Sequence, residues 1–137
     1  MTITLKEFNT AIKTISPFIL KTKLEKYKNN IFLKRESSQV TGSFKWRGVL
    51  YSVMNAFQEI KDTDINERTP YYLVTQSTGN HGIAVIYAVQ QVKKYYCKKY
   101  PLDKQKWKNI HPCVFSNMHI TKSKLDKINN LLEKDNK

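Results

Sequence analysis

The chain has 137 residues, of which 24 are basic and 11 acidic, so its formal net charge is +13. Apolar residues make up 40% and charged residues 26%, which is the composition of a globular domain rather than of a disordered segment. No apolar run approaches the about 20 residues of a membrane span, and the N-terminal residues do not form a secretory signal, so we expect a cytoplasmic protein. The two cysteines form neither a metal-ligand spacing nor a disulfide framework, so we expect no metal.

The apolar periodicity predicts helices and strands in alternation. Thr4 caps the first predicted helix, and Ser16-Pro17 ends it. The predicted elements, in chain order, are a helix over residues 5–15, a buried strand at 31–33, a helix over 43–60, a strand at 71–75, a helix from residue 80, a short strand at 112–115 and a helix over 122–132. Between them, we expect residues 18–20 to be extended, Leu24 to lie on a short helical turn, residues 61–70 to form a polar loop and residues 100–111 to be irregular.

Alternating helices and strands predict an α/β fold, a mainly parallel sheet flanked by helices. In such folds, sites lie where the carboxyl end of a strand meets the start of a helix. The chain has four glycines, Gly42, Gly48, Gly79 and Gly82, and all fall in two segments at such junctions. Because glycine allows tight turns and close approach of the backbone, these two segments are the predicted functional regions.

The first segment, residues 41–48, reads Thr-Gly-Ser-Phe-Lys-Trp-Arg-Gly and opens a helix. Lys45 lies in the first helical turn, where the helix dipole disfavours a cation. The same field, together with partial burial, favours the neutral amine that Schiff-base chemistry requires. The spacing is not that of a phosphate-binding P-loop. Taken alone, Lys45 could also be an ordinary surface lysine.

The second segment, residues 76–82, reads Gln-Ser-Thr-Gly-Asn-His-Gly and precedes another helix. Hydroxyl groups, glycines and free backbone N–H groups at the positive end of a helix form a cradle for a carboxylate or a phosphate. The amide of Asn80 suits a phenolate-type oxygen. A plain capping turn, with His81 as a capping or packing residue, is the alternative interpretation.

Three stretches together resemble a known family. Residues 31–36 (IFLKRE), 41–48 (TGSFKWRG) and 77–82 (STGNHG), in this order and at these separations, resemble the fold-type-II pyridoxal-phosphate enzymes of the tryptophan synthase β-like superfamily. The branch is that of serine racemase and serine/threonine dehydratase. The cysteine-synthase branch typically carries Val-Lys-Asp-Arg and Gly-Asn-Thr-Gly forms, which this chain lacks. The resemblance covers residues 5–87.

This resemblance implies roles for single residues. Lys45 would hold pyridoxal 5'-phosphate as a Schiff base and then act as the base at the substrate Cα, Phe44 would pack beside the cofactor, and Asn80 would hydrogen-bond its ring hydroxyl oxygen. The residues implied to bind the substrate are Ser77, Thr78, Gly79, Asn80 and His81. Thr78 stands where racemases place a serine that acts on the opposite face of Cα. A threonine is a weaker candidate for that role, which favours β-elimination over racemisation.

The implied function is deamination of L-serine or L-threonine to a 2-oxo acid and ammonia, with an amino-acid substrate. The lysine-biased charge and the lack of a long apolar run argue against a nucleic-acid partner and a membrane. Unpaired sheet edges in a partial fold favour a homo-oligomer. Serine racemisation and a non-catalytic basic binding module stay open as alternatives. Family members are more than twice as long, so residues 1–70 would open the larger domain and residues 71–137 would form a truncated smaller one. No glycine follows Gly82, so the family's glycine-rich phosphate loop is not expected in this chain, and its own activity is in question.

Overall fold

The computed structural model describes residues 2–63 and 69–135. Its helices and strands are α1 (Leu5–Ile15), β1 (Leu24–Lys28), β2 (Ile31–Lys34), α2 (Lys45–Lys61), β3 (Tyr71–Gln76), α3 (Asn80–Lys99), α4 (Lys104–Lys108), β4 (Ile110–Phe115) and α5 (Lys122–Asp135). Short 3-10 turns occupy Ser16–Phe18, Glu36–Ser38 and Pro101–Asp103. Within the described ranges, no helix has both the length and the apolar character needed to cross a membrane.

The parallel sheet predicted from the sequence is confirmed in β3 and β4. The two strands pair in parallel from Tyr71 opposite Ile110 to Gln76 opposite Phe115, and α3 makes the crossover between them. One face of this sheet packs inward, whereas Tyr72 on the other face is exposed. The fold class is therefore α/β, as predicted, with one face of the sheet left open within the described chain.

The strand at 31–33 is confirmed, but its predicted burial is wrong. It pairs with β1 as an antiparallel hairpin that turns at Asn29, whose φ of 45° lies in the left-handed region that asparagine tolerates. Leu24, expected on a helical turn, is instead the first residue of β1. Every residue of both strands is exposed, since this hairpin forms a sheet of its own, separate from β3 and β4.

The core lies between α2 and α3. The apolar face of α2 is buried against α3, and its buried residues are Trp46, Val49, Leu50, Val53, Met54 and Phe57. The segment 100–111 was expected to be irregular, and that expectation is wrong. Trp107 on α4 is fully buried, with its ring centroid 4.8 Å from that of Tyr96 and 6.0 Å from that of Phe57. Burial of this indole favours a helical turn in a stretch whose polar composition concealed it.

Element boundaries differ from the predictions by a few residues. The helix predicted from Ser43 begins at Lys45, because the turn before it continues through Phe44. The last helix continues to Asp135, whereas the sequence placed its end at Leu132. Residues 64–68 of the predicted polar loop lie outside the described residues. The Thr4 cap is confirmed: the Glu7 backbone N–H donates to the Thr4 hydroxyl, while the Glu7 carboxylate accepts from the Thr4 backbone.

Candidate active site

A tight turn carries the chain into α2 and places Lys45 at the first position of this helix. Gly42 has a φ of 76°, and its N–H donates to the carbonyl of Gln39 at 2.7 Å. Lys45 itself is exposed rather than partly buried. Its Nζ lies 5.1 Å from the centroid of the Phe44 ring. The amine therefore stands beside an aromatic face and is accessible to a ligand.

An ion pair fastens the first turn of α2 to the segment before it. The Arg47 guanidinium donates to Glu36 through Nε at 2.8 Å and through Nη2 at 2.9 Å, and the Thr22 hydroxyl donates to the same carboxylate at 2.6 Å. The hydrogen bonds from Arg47 and then Thr22 are the main causes that lower the pKa of Glu36 from 4.5 to about 2. The carboxylate thus stays ionised well into the acid range.

We expect this pair to make the stability of the fold depend on acid pH. The pKa of Glu36 is lowered on folding, so its contribution is fully present above pH 4.5 and is lost as the pH falls towards 2. Urea unfolding midpoints measured across this range should fall in the wild type and fall less in Glu36→Gln. Glu25→Gln is the matched control, since its pair with Arg35 is exposed, and it should keep the wild-type slope. An equal acid slope in wild type and Glu36→Gln would contradict the prediction.

The second junction uses the Ser77 hydroxyl to build its own turn. The Ser77 Oγ accepts from the backbone N–H groups of Gly79 at 3.2 Å and Gly82 at 2.9 Å. In the predicted cradle, this hydroxyl oxygen therefore already accepts two hydrogen bonds from the start of α3 and is less available to a substrate. Thr78 and Asn80, by contrast, are exposed, and His81 is half-buried.

Gly82 is required by close packing rather than by an unusual backbone angle. A Cβ added to Gly82 would lie 2.9 Å from the Val114 Cγ1 and 3.2 Å from the Ser77 Cβ. Such distances are shorter than ordinary contacts between carbon atoms, which are about 3.5–4.0 Å. Any side chain at Gly82 would therefore push α3 away from β4 and from the Ser77 turn.

We expect Gly82→Ala to destabilise the fold by about 1–3 kcal/mol, the usual cost of inserting a methyl group into a filled space. Gly48→Ala is the matched control, because no heavy atom lies within 4 Å of its added Cβ. Alanine in the interior of α2 should stabilise it by about 0.5–1 kcal/mol. Chemical denaturation measures both effects, and a Gly82→Ala variant as stable as the wild type would show that β4 yields to the methyl group.

A pocket of about 550 Å³ brings residues from the two junctions together. Phe44, Lys45 and His81 line it, whereas Ser77, Thr78, Gly79 and Asn80 are not among its lining residues. Gly48, from the predicted segment 41–48, also lines it. Sequence reasoning missed the rest of its wall, which consists of Val49, Ser52, Val53, Ala56, Leu73, Val74, Thr75 and Val85. Residues three or four positions apart lie on one face of a helix. Counting in such steps from Lys45 along α2 would have indicated the lining residues on this helix.

Comparison with known proteins gives the family. The profile of the family described as "Pyridoxal-phosphate dependent enzyme" matches residues 9–106. The chain belongs to this family. Human serine racemase is 46% identical over 61 residues, which cover 44% of this chain and 16% of that protein. Serine racemase of Dictyostelium discoideum is 36% identical over 103 residues, which cover 69% of this chain and 29% of that protein.

Further similarities agree with this family. The biosynthetic L-threonine dehydratase of Lactococcus lactis is 29% identical over 126 residues, which cover 87% of this chain and 28% of that protein. A crystal structure of a pyridoxal 5'-phosphate-dependent aspartate racemase superposes with a TM-score of 0.71 at 23% identity, covering 96% of this chain and 36% of that one, which supports the fold. The chain therefore spans less than a third of the length of these curated relatives.

The pocket residues fit the cofactor of this family. Pyridoxal phosphate offers an aldehyde to an amine and a flat ring to apolar or aromatic surfaces. Lys45 supplies an accessible primary amine, Phe44 an aromatic face, and Val49 and Val85 an apolar wall. Gly48 lines the pocket without a side chain, and no heavy atom lies within 4 Å of the position that its Cβ would occupy, so the pocket stays open beside α2. Lys45 and Phe44 are therefore the residues that would contact the aldehyde and the ring.

Proposed function

We propose that this chain carries the lysine-bearing part of a pyridoxal-phosphate-dependent enzyme that deaminates L-serine or L-threonine to a 2-oxo acid and ammonia. The observation that carries the proposal is the shared pocket of Lys45 and His81, which belong to the two segments that the sequence singled out. The relatives that bear the names serine racemase and L-threonine dehydratase support the substrate class. The division into domains at residue 70 and a cytoplasmic location stay predictions.

The resemblance to the family is the source of each proposed role. Lys45 would hold the cofactor through its amine and would take the proton from the substrate Cα. When bound, the cofactor supplies an electron sink for the pair left by that proton. Asn80, exposed at the first position of α3, would donate to the ring oxygen of the cofactor. Thr78, Gly79 and His81 orient the carboxylate of the substrate at the positive end of α3, with Ser77 holding their turn in place.

Racemisation of serine is the second candidate, because three of the curated relatives that resemble this chain are mammalian serine racemases. It requires a second proton donor on the opposite face of Cα, and Thr78 holds the corresponding position. A threonine hydroxyl serves this role less readily, which favours elimination. Chiral analysis of serine after incubation, beside an assay for the 2-oxo acid, separates the two reactions.

The direct test is to incubate the chain with pyridoxal 5'-phosphate, reduce with borohydride and map the modified peptides. We expect the adduct to concentrate on Lys45 although the chain contains 21 lysines. An adduct spread evenly over exposed lysines would overturn the proposal. Salt-sensitive binding of nucleic acid without a Lys45 adduct would instead favour the basic binding module that the charge of +13 leaves open.

A further inference from the structure

Residues on both sides of Lys45 are attached to one short stretch of chain, residues 18–22, which we call the anchor segment. We propose that the anchor segment and the Glu36–Arg47 ion pair fix the direction in which Lys45 enters the pocket, so that Glu36 and Arg47 are positioning residues. This inference rests on the proposed function, because it concerns the reaction of Lys45 with the cofactor. It assigns a role to side chains that do not line the pocket themselves.

The first attachment lies before Lys45. The side-chain amide of Gln39 donates to the Leu20 carbonyl at 2.7 Å and accepts from the Leu20 backbone N–H at 3.1 Å. Gln39 is buried, and hydrogen bonds in such an environment are costly to break. The start of the turn that leads to Lys45 is therefore held at one point of the anchor segment.

Two further attachments come directly after Lys45. The buried indole of Trp46 donates through Nε1 to the Phe18 carbonyl at 3.1 Å, and Arg47 Nη2 donates to the Leu20 carbonyl at 3.2 Å. Successive residues of a helix point about 100° apart around its axis. Attachments at two such directions prevent the first turn of α2 from rotating, and they thereby set the direction of the Cα–Cβ bond of Lys45.

The Glu36 carboxylate closes the network. It accepts both hydrogen bonds of the Arg47 fork and also one from the Thr22 hydroxyl of the anchor segment. A planar, two-point pair of this kind restricts orientation more tightly than a single contact between point charges does. Glu36 thus connects the anchor segment to α2 through a second route, independent of the carbonyl groups.

Among the residues that the structure describes, no hydrogen bond or ion pair holds the Lys45 side chain. This side chain is exposed, and its Nζ lies over the Phe44 ring. A backbone held by its neighbours and a side chain free to react are what a nucleophile needs, since supporting residues set the geometry and the reacting group remains available. This contrast between Lys45 and the two residues after it is the basis of the inference.

The experiment compares how fast the full chain forms the reducible adduct on Lys45 with pyridoxal 5'-phosphate, under conditions where every variant is fully folded by circular dichroism. We expect Glu36→Gln to slow this reaction about tenfold, because small misplacements of a reacting group are costly. Arg47→Lys, which keeps the charge but loses the fork, should lie between Glu36→Gln and the wild type. Glu25→Gln, which breaks an exposed Glu–Arg pair, should react at the wild-type rate.

If Glu36 and Arg47 only stabilised the fold, their substitution would lower the folded fraction but leave the rate of adduct formation in the folded molecules unchanged. Equal rates in folded wild type, Glu36→Gln and Arg47→Lys would therefore overturn the inference and leave the proposed function standing. An equal slowing in Glu25→Gln would also overturn it, because the effect would then not belong to the anchor segment. A wild-type chain without a Lys45 adduct would overturn the proposed function and, with it, the inference.

Discussion

Lys45→Ala should abolish the visible absorbance that pyridoxal 5'-phosphate acquires on binding the chain, together with the adduct mapped after reduction. Lys45 is the lysine that lines the pocket shared by the two junctions, and its amine is accessible beside the Phe44 ring. Since covalent attachment needs a nucleophilic amine, no other lining residue among those that the structure describes can replace it. Deamination of serine, where the wild type shows it, should be lost to the level of the cofactor alone.

Lys122→Ala is the matched control, because Lys122 is also an exposed lysine at the first position of a helix, α5. It should keep the full absorbance and the Lys45 adduct. The stability of Lys45→Ala should stay close to that of the wild type, since an exposed side chain with few contacts is removed. Retention of the absorbance in Lys45→Ala would mean that another lysine binds the cofactor, and the proposed site would be wrong.

Trp107→Ala should destabilise the fold by about 3–5 kcal/mol, the range found when a large buried aromatic side chain is truncated. Trp107 is fully buried, and its ring lies near those of Phe57, Tyr96 and Tyr100. Domains are stable by only about 5–15 kcal/mol in total, so this loss takes a large part of the whole. Urea denaturation followed by circular dichroism measures it, and we expect partial unfolding even without denaturant.

Trp107→Phe separates packing from hydrogen bonding. The indole Nε1 of Trp107 is buried and has no partner among the described residues, so its removal costs no hydrogen bond there. We expect Trp107→Phe to cost clearly less than Trp107→Ala, because an aromatic ring remains in the core. Tyr72→Ala, at an exposed ring on the open face of the sheet, should change the stability by less than about 0.5 kcal/mol. Equal losses in all three variants would show that α4 does not anchor the core.

The sequence predicted the two segments that contribute Phe44, Lys45 and His81 to the pocket, because their signals are local. The glycine-bearing segments around Lys45 and His81 follow strands and open helices, and short-range rules of capping and turn formation suffice to place them. The apolar stripe of α2 and the parallel pairing of β3 and β4 likewise follow from periodicity and alternation. Family resemblance in the same segments then supplied the cofactor and the chemistry.

Other features depend on contacts between distant parts of the chain, and the tertiary structure alone decided them. The exposure of the 31–33 strand depends on its pairing with β1, which no periodicity in the run itself indicates. The helix around Trp107 forms because rings from α2 and α3 surround the indole. The hydrogen bonds from Trp46 and Arg47 to residues 18–22 join positions nearly thirty apart in the chain. Such bonds between side chains and backbone follow no fixed sequence spacing, so the sequence did not indicate them. The sequence alone thus determined the local elements, whereas burial and long-range contacts depended on the packing of the whole chain.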